Sequence, residues 1–346
     1  MNPQAKLVFA TSLLLGTTIT ISSNHWILAW TGLEINTLAI LPLISKSHHP
    51  RAVEAATKYF LVQATASALV LFSSMTNAWY TGQWDITQLT HPTSSLILTS
   101  AIAIKLGLVP FHFWFPEVLQ GSPLITGLLL STAMKFPPIT LLFLTSKSLN
   151  PALLTTMAIL SAALGGWMGL NQTQTRKILA FSSISHLSWM AIIITYSPKL
   201  ALLNFYLYTL MTAAIFLTLN SMQVLKLPTL MTSWTKSPAL SAVLLLALLS
   251  LAGLPPLTGF LPKWLIVQEL TKQEMAPTAT IISLLSLLSL FFYLRLAYSS
   301  TITLPPHTTN HMKRWHINKP INTSIAILTT LSIMLLPISP MIITIV

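Results

Sequence analysis

Apolar runs of about 20 residues, each long enough to cross a hydrocarbon layer about 30 Å thick, recur from one end of the chain to the other. They fall at about 4–22, 25–44, 57–79, 95–116, 123–145, 151–170, 178–196, 201–224, 238–270 (interrupted), 276–298 and 322–345. Barrel strands would be half as long and would alternate in polarity, whereas helices satisfy their backbone groups internally over continuous apolar runs. The pattern predicts an all-α polytopic membrane protein of about eleven transmembrane helices. Connections between the runs are too short for a soluble domain of a hundred or so residues.

Two runs carry helix breakers at their centres. "AIAIKLGLVPFHFWFPEVLQGSP" contains Gly107 and Pro110, and "LLSLAGLPPLTGFLPKWLIVQEL" contains Gly253, Pro255, Pro256 and Gly259. Both are expected to be discontinuous helices. The breaks lie about 145 residues apart, and the same shift carries the first span to the start of the sixth, the spacing of an internal repeat. Five spans is an odd number, so a second copy would be inverted, as in transporters with paired broken helices. The expected organisation is one membrane domain: a first repeat over 1–148, a second over 149–298, and a loop with a C-terminal helix over 299–346.

Composition agrees with the pattern: 53% of the 346 residues are hydrophobic and 7% charged, against roughly 25% charged in a soluble domain. The formal charge of +12 comes from 18 Lys and Arg against six acids, mostly single residues between apolar runs rather than a stripe that would grip nucleic acid. Sorted onto the two faces that eleven spans define, one collects Lys6, Lys46, Arg51, Lys58, Arg176, Lys177, Lys226, Lys236, Lys313, Arg314 and Lys319, the other Lys147, Lys199 and Lys272. That asymmetry places the N-terminus in the inner compartment and the C-terminus in the outer one. With no cysteine, disulfides, thiolate-held iron–sulfur clusters and thiolate metal sites are excluded. The N-terminal segment has no small-residue cleavage site and reads as a retained helix. The glycosylation-like triplets at Asn171 and Asn322 are discounted for want of a secretory context.

Four charges fall inside spans or beside a break: Glu34 in the second, Lys105 in the fourth, Lys135 in the fifth ("LLLSTAMKFPPITLLF") and Lys263 in the ninth. Each ion costs about 2.5 to 3.5 kcal/mol at the bilayer centre, so these must face the bundle interior or water. An ammonium stripped of water gives up its proton more readily, and a carboxylate brought near makes it hold on. Moving Glu34 toward or away from Lys105 would therefore load or unload a proton, with the pair titrating as a unit. His186 lies mid-span and His112 follows the first break; imidazoles relay protons between groups too far apart to touch. Ser182, Ser183, Ser185 and Thr132 add hydroxyls for a water chain.

Structural alternatives stand beside each reading. Glu34 and Lys105 also suit a static ion pair, Lys263 a snorkelling side chain at a half-helix end, His186 an interhelical hydrogen-bonding group, and His112 a satisfied residue near a break. Glu54, Asp85, Glu117, Glu269 and Glu274 lie in loops or near span ends, where solvation is the default. His48 and His49 have no acidic or sulfur partner at ligand spacing and read as loop. No nucleophile motif, phosphate loop or dinucleotide fingerprint occurs, so the residues describe a proton path without an energy source.

The stretches "TGLEINTLAILPLI", "KYFLVQATAS", "IKLGLVPFHFWFPEVLQG", "MKFPPI", "NQTQTRKILAFSSISHL" and "LAGLPPLTGFLPKW", with "MNP" at the start, closely resemble the mitochondrially encoded NADH dehydrogenase subunit 2 family of vertebrates, in wording most like a bird's. The resemblance implies an antiporter-like membrane subunit of respiratory complex I, the NADH:ubiquinone oxidoreductase of the mitochondrial inner membrane. It implies two inverted five-helix repeats, and eleven spans where bacterial members have fourteen. It places the family's glutamate on Glu34, the broken-helix lysine on Lys105, the central lysine on Lys135, the terminal channel residue on Lys263 and the axial histidine on His186, leaving His112 without a fixed role. No cofactor is expected in this chain: NADH, FMN, iron–sulfur clusters and ubiquinone belong to other subunits. Expected partners are neighbouring antiporter-like and small membrane subunits, accessory subunits and lipids. A freestanding cation/proton antiporter would use the same lysines, and a structural membrane subunit would move no protons at all.

Overall fold

The computed structural model describes residues 3–301 and 323–340. Lys313, Arg314, Lys319, Asn322 and the end of the last expected span lie outside the described residues. Among those described, helices are joined by short turns, and extended pairing is limited to isolated bridges between His25 and Asp85 and between Gln174 and Lys226. Among the described residues, seven helical segments are long and apolar enough to cross a membrane.

The chain divides into two compact units, one running to Ser161 and including Leu187–Pro198, the other formed by Ala162–His186 and the chain from Lys199 onward. In the first, α1 (Pro3–Ser22) packs on α2 (Trp26–Ile44), and α3 (Pro50–Thr81) packs on α2, on α4 (Pro92–Leu106) and on α5 (Trp114–Gly121). Helices α6 (Leu124–Ser131) and α7 (Phe136–Leu144) follow. The α1–α2 crossing depends on glycine: a methyl on Gly32 would come within 2.9 Å of the Gly16 carbonyl oxygen. Such close backbone approach lets helices associate where lipid supplies no hydrophobic drive. The starts of α2 and α3 are capped alike, Nδ1 of His25 accepting from the Ile27 amide and Nδ1 of His49 from the Arg51 amide. A cap thus accounts for His49 in the pair His48 and His49.

The fourth expected span is two helices. α4 ends at Gly107, whose φ of +76° only glycine adopts without strain, and the chain passes a cis Val109–Pro110 bond before α5 begins. In the second unit α12 (Pro238–Ala252) ends the same way at Gly253, φ +81°, with a cis Pro255–Pro256 bond before α13 (Phe260–Lys272). The two units therefore share a local plan of helix, left-handed glycine, proline and half-helix.

The fifth span differs from the sequence expectation of one continuous helix. It is α6, a 3-10 turn over Ala133–Lys135, then α7. Pro137 and Pro138 have no amide hydrogen to return to the Ala133 and Met134 carbonyls, so the α-helical ladder cannot run through them. They sit instead in the first turn of α7, where that hydrogen would be unpaired anyway.

After α7 the chain continues with α8 (Pro151–Gly169) and α9 (Thr175–Ile193). The second unit continues with α10 (Pro198–Met222), a ten-residue helix α11 (Leu227–Lys236) absent from the sequence expectation, then α14 (Ala276–Thr301) and α15 (Thr323–Met334). Helix α14 packs on α11, α12 and α13. The Thr258 hydroxyl donates to the Ser332 carbonyl and so ties the second break to α15.

Candidate functional site

Lys105 belongs to the last turn of α4, two residues before the glycine that ends it, and is 6% exposed. Its ammonium is buried and makes no hydrogen bond or ion pair among the described residues. The break itself is closed by Trp114, whose indole N–H donates to the Ile104 carbonyl at 3.1 Å. Helix α5 is also held by Lys58, 2.6 Å from both Glu54 of its own helix and Glu117 of α5. Those three side chains are exposed, so the contact orients the half-helix more than it stabilises it.

Lys135 closes the 3-10 turn and is 3% exposed. Its Nζ stands 4.6 Å from the centre of the Phe115 ring, a contact in which the ring face attracts the cation. Phe115 and Trp114 are consecutive, so one short half-helix serves both lysines: its indole locks the end of α4, and its phenyl seats Lys135. Both lysines line one cavity, together with Tyr59, Gln63 and Thr37 among others. The cavity has room for one water molecule.

Glu34, half-buried on α2, is not paired with Lys105. Its carboxylate instead takes the Ser67 hydroxyl of α3 on Oε1 and the Thr37 hydroxyl, at 3.2 Å, on Oε2. The static-pair alternative is thereby set aside for the described arrangement. His112 is 1% exposed and lies against the Phe113 ring at 4.2 Å, but it is not among the residues lining the cavity.

Two further predicted residues lie in the second unit. Lys263 reaches back across Gly253 and donates from Nζ to the Ala252 carbonyl at 2.7 Å, so it caps α12 rather than snorkelling to a surface. An ammonium there meets the negative end of the helix dipole. His186 is 7% exposed, its ring 5.5 Å from that of Tyr208, whose hydroxyl is hydrogen-bonded to the Ser183 side chain. The hydroxyls of Ser182, Ser183 and Ser185 donate to carbonyls three residues back on α9, and Thr132 to one four back on α6. Their lone pairs, not their hydrogens, are what they offer to water.

Sequence reasoning missed Ser67, Thr37, Trp114 and Phe115. Only the aromatic run "FHFWF" beside a break carried a signal; a serine or threonine in a membrane helix does not announce itself, because most of its kind simply bond their own backbone.

Residues 23–289 match the family model for the transmembrane part of NADH:quinone oxidoreductase/Mrp antiporters, and residues 290–343 that for the NADH dehydrogenase subunit 2 C-terminus. The chain is 79% identical over 342 residues to NADH-ubiquinone oxidoreductase chain 2 of the duck Mareca americana, covering 99% of each. Among solved structures it superposes with a TM-score of 0.83 on a chain of respiratory complex I from Thermus thermophilus with bound aureothin, at 26% identity over 96% of this chain and 79% of that one. A chain of the Mrp complex from Dietzia sp. DQ12-45-1b gives 0.84 at 16% identity over 96% and 75%, a likeness of fold alone. Fold and family match together define an antiporter-like subunit of a multi-subunit membrane complex. The chain belongs to the NADH-ubiquinone oxidoreductase chain 2 family, as its bird-like wording implied.

Proposed function

We propose that the chain is a proton-translocating core subunit of respiratory NADH:ubiquinone oxidoreductase, complex I. The observation that carries the reading is the pair Lys105 and Lys135, both nearly inaccessible, each on an interruption of a membrane helix, and both lining one cavity with room for a water molecule. Buried lysines cost too much to be kept as packing, and ones that share a water-sized space are placed to pass a proton.

In this reading Glu34 sets how tightly Lys105 holds its proton, Lys135 relays, His186 bridges, and Lys263 hands on to an exit or a neighbour. His112 stands beside the first break without a step of its own. The chain is organised as two inverted five-helix repeats. It brings no redox centre: NADH, FMN, iron–sulfur clusters and ubiquinone act on other subunits, and their chemistry reaches this chain as a change in charge separation at Glu34 and Lys105. Neighbouring antiporter-like and small membrane subunits, accessory subunits and lipids surround it. It lies in the mitochondrial inner membrane with the N-terminus toward the matrix and the C-terminus toward the intermembrane space, the orientation favoured by its basic residues.

Solubilised in mild detergent and separated by size, the chain is expected to comigrate with rotenone-sensitive NADH:quinone reductase activity. Migration as a small independent species, with controls for detergent dissociation, would remove NADH from the account and favour an autonomous antiporter.

A further inference from the structure

Glu34 and Lys105 are separated in this structure, and the atoms that hold the carboxylate away are specific. Glu34 Oε1 receives the Ser67 hydroxyl from the neighbouring helix α3, where Ser67 is 2% exposed. Ser67 Oγ also lies 2.9 Å from the Ala64 carbonyl of its own helix. A hydroxyl has one hydrogen, so it bonds either the carboxylate or the carbonyl, and a charged acceptor wins while it is present. Thr37 repeats the arrangement from the next turn of α2: its Oγ1 lies 3.2 Å from Glu34 Oε2 and 2.9 Å from the Glu34 carbonyl. Here the shorter bond goes to the backbone, so Ser67 is the principal donor.

We propose that Ser67 is a positioning residue, a hydroxyl latch that holds the Glu34 carboxylate on α3 and away from Lys105. The inference rests on the proton-relay reading and names the group that sets its input state. Each hydroxyl has a backbone carbonyl waiting. When Glu34 leaves, Ser67 turns to Ala64 and Thr37 to its own helix, and neither donor is left unsatisfied in a dry place. On the other side the Lys105 ammonium has no hydrogen-bond partner among the described residues. It stands ready for the carboxylate. The latch therefore opens at the cost of exchanging one hydrogen bond for another, which is what a two-position switch needs if a modest change in charge elsewhere is to drive it.

The test is carried out in the assembled complex in native membranes, by infrared spectroscopy of the Glu34 carboxyl, its bands assigned as those lost in Glu34→Gln. Because the hydroxyl falls back on the Ala64 carbonyl, only the difference between a charge-assisted and a neutral hydrogen bond is at stake, about 10-fold in the equilibrium, so Ser67→Ala is expected to move Glu34 from the hydroxyl-bonded band to a lysine-paired band by that factor. Ser67→Thr, which keeps the hydroxyl, restores the original band, a rescue that a packing role would not give. Proton-to-electron ratios are expected to fall in Ser67→Ala and in Glu34→Gln, and to fall no further when the two are combined. A Glu34 band unmoved by Ser67→Ala, or pumping losses that add in the double variant, would overturn the latch. Normal pumping in Glu34→Gln, by contrast, strikes at the relay reading itself, and the infrared arm still decides whether Ser67 holds the carboxylate.

Discussion

In the assembled complex, Lys135→Met is expected to reduce proton translocation through this subunit on the order of 10²-fold or more, the usual worth of a positioned proton-transfer group. Methionine keeps most of the length and apolar bulk of the lysine stem while removing the ammonium. The Phe115 ring, 4.6 Å from Nζ, then loses a cation and keeps a neighbour. The break needs no lysine, because Pro137 and Pro138 impose it. Loss of folding is therefore a poor explanation for any deficit, and the amount of assembled complex checks it directly. Lys135→Arg keeps the charge but hardly ever releases its proton, so it should assemble and seat on Phe115 yet pump no better than the methionine variant. The ratio of protons moved to NADH oxidised, measured in sealed membranes beside a native-gel check of assembly, distinguishes these cases. Full pumping by an assembled Lys135→Met complex would defeat the central-relay role.

What the sequence made legible follows from how each feature writes itself into the chain. A break such as that of α4 is spelled by Gly107 and Pro110, because only glycine tolerates a φ of +76° and proline cannot continue the ladder. The lysine two residues before it is conspicuous because an ion in an apolar run is costly. The interruption at Lys135 was spelled too, by the Pro–Pro pair, but the apolar run continues across it, and hydropathy overrode the backbone signal. Helix α11 was missed for the opposite reason: a ten-residue helix is too short to register as a span.

The partners of the charges were not legible at all. Ser67 is 33 residues from Glu34 and looks like any membrane-helix serine; its role comes from which turn of α3 faces α2. Phe115 looks like one aromatic in a run of them. Only packing shows that it faces Lys135 while Phe113 turns outward, 64% exposed. Lys263 shows the limit from another side: the sequence set it beside a break, yet the carbonyl it caps is 11 residues away, a contact that depends on the chain folding back.

That fold-back also sets the largest structural effect expected of a single methyl group. Gly259 has a φ of −66°, an ordinary value for any residue, so its backbone does not require glycine. Space does. A Cβ there would overlap the Ser250 carbonyl oxygen at the end of α12 and lie 2.9 Å from its carbon, with the Met211 sulfur at 3.3 Å. The sulfur can move, but the carbonyl is fixed in a helix. Gly259→Ala must then push α13 away from α12, carrying with it Thr258, which is tied to Ser332, and Lys263, which caps the helix just four residues on. Overpacking of this kind costs about 1 to 3 kcal/mol where side chains can yield and more where they cannot. Gly82→Ala is the matched control: φ is +73°, so an alanine is strained by about 1 to 2 kcal/mol, yet nothing lies within 4 Å of the added carbon. On native gels after a graded heat challenge, Gly259→Ala should leave little intact complex at temperatures that Gly82→Ala survives. Equal survival of the two would mean that the second break yields freely, and with it the claim that α12 and α13 hold Lys263 in one place.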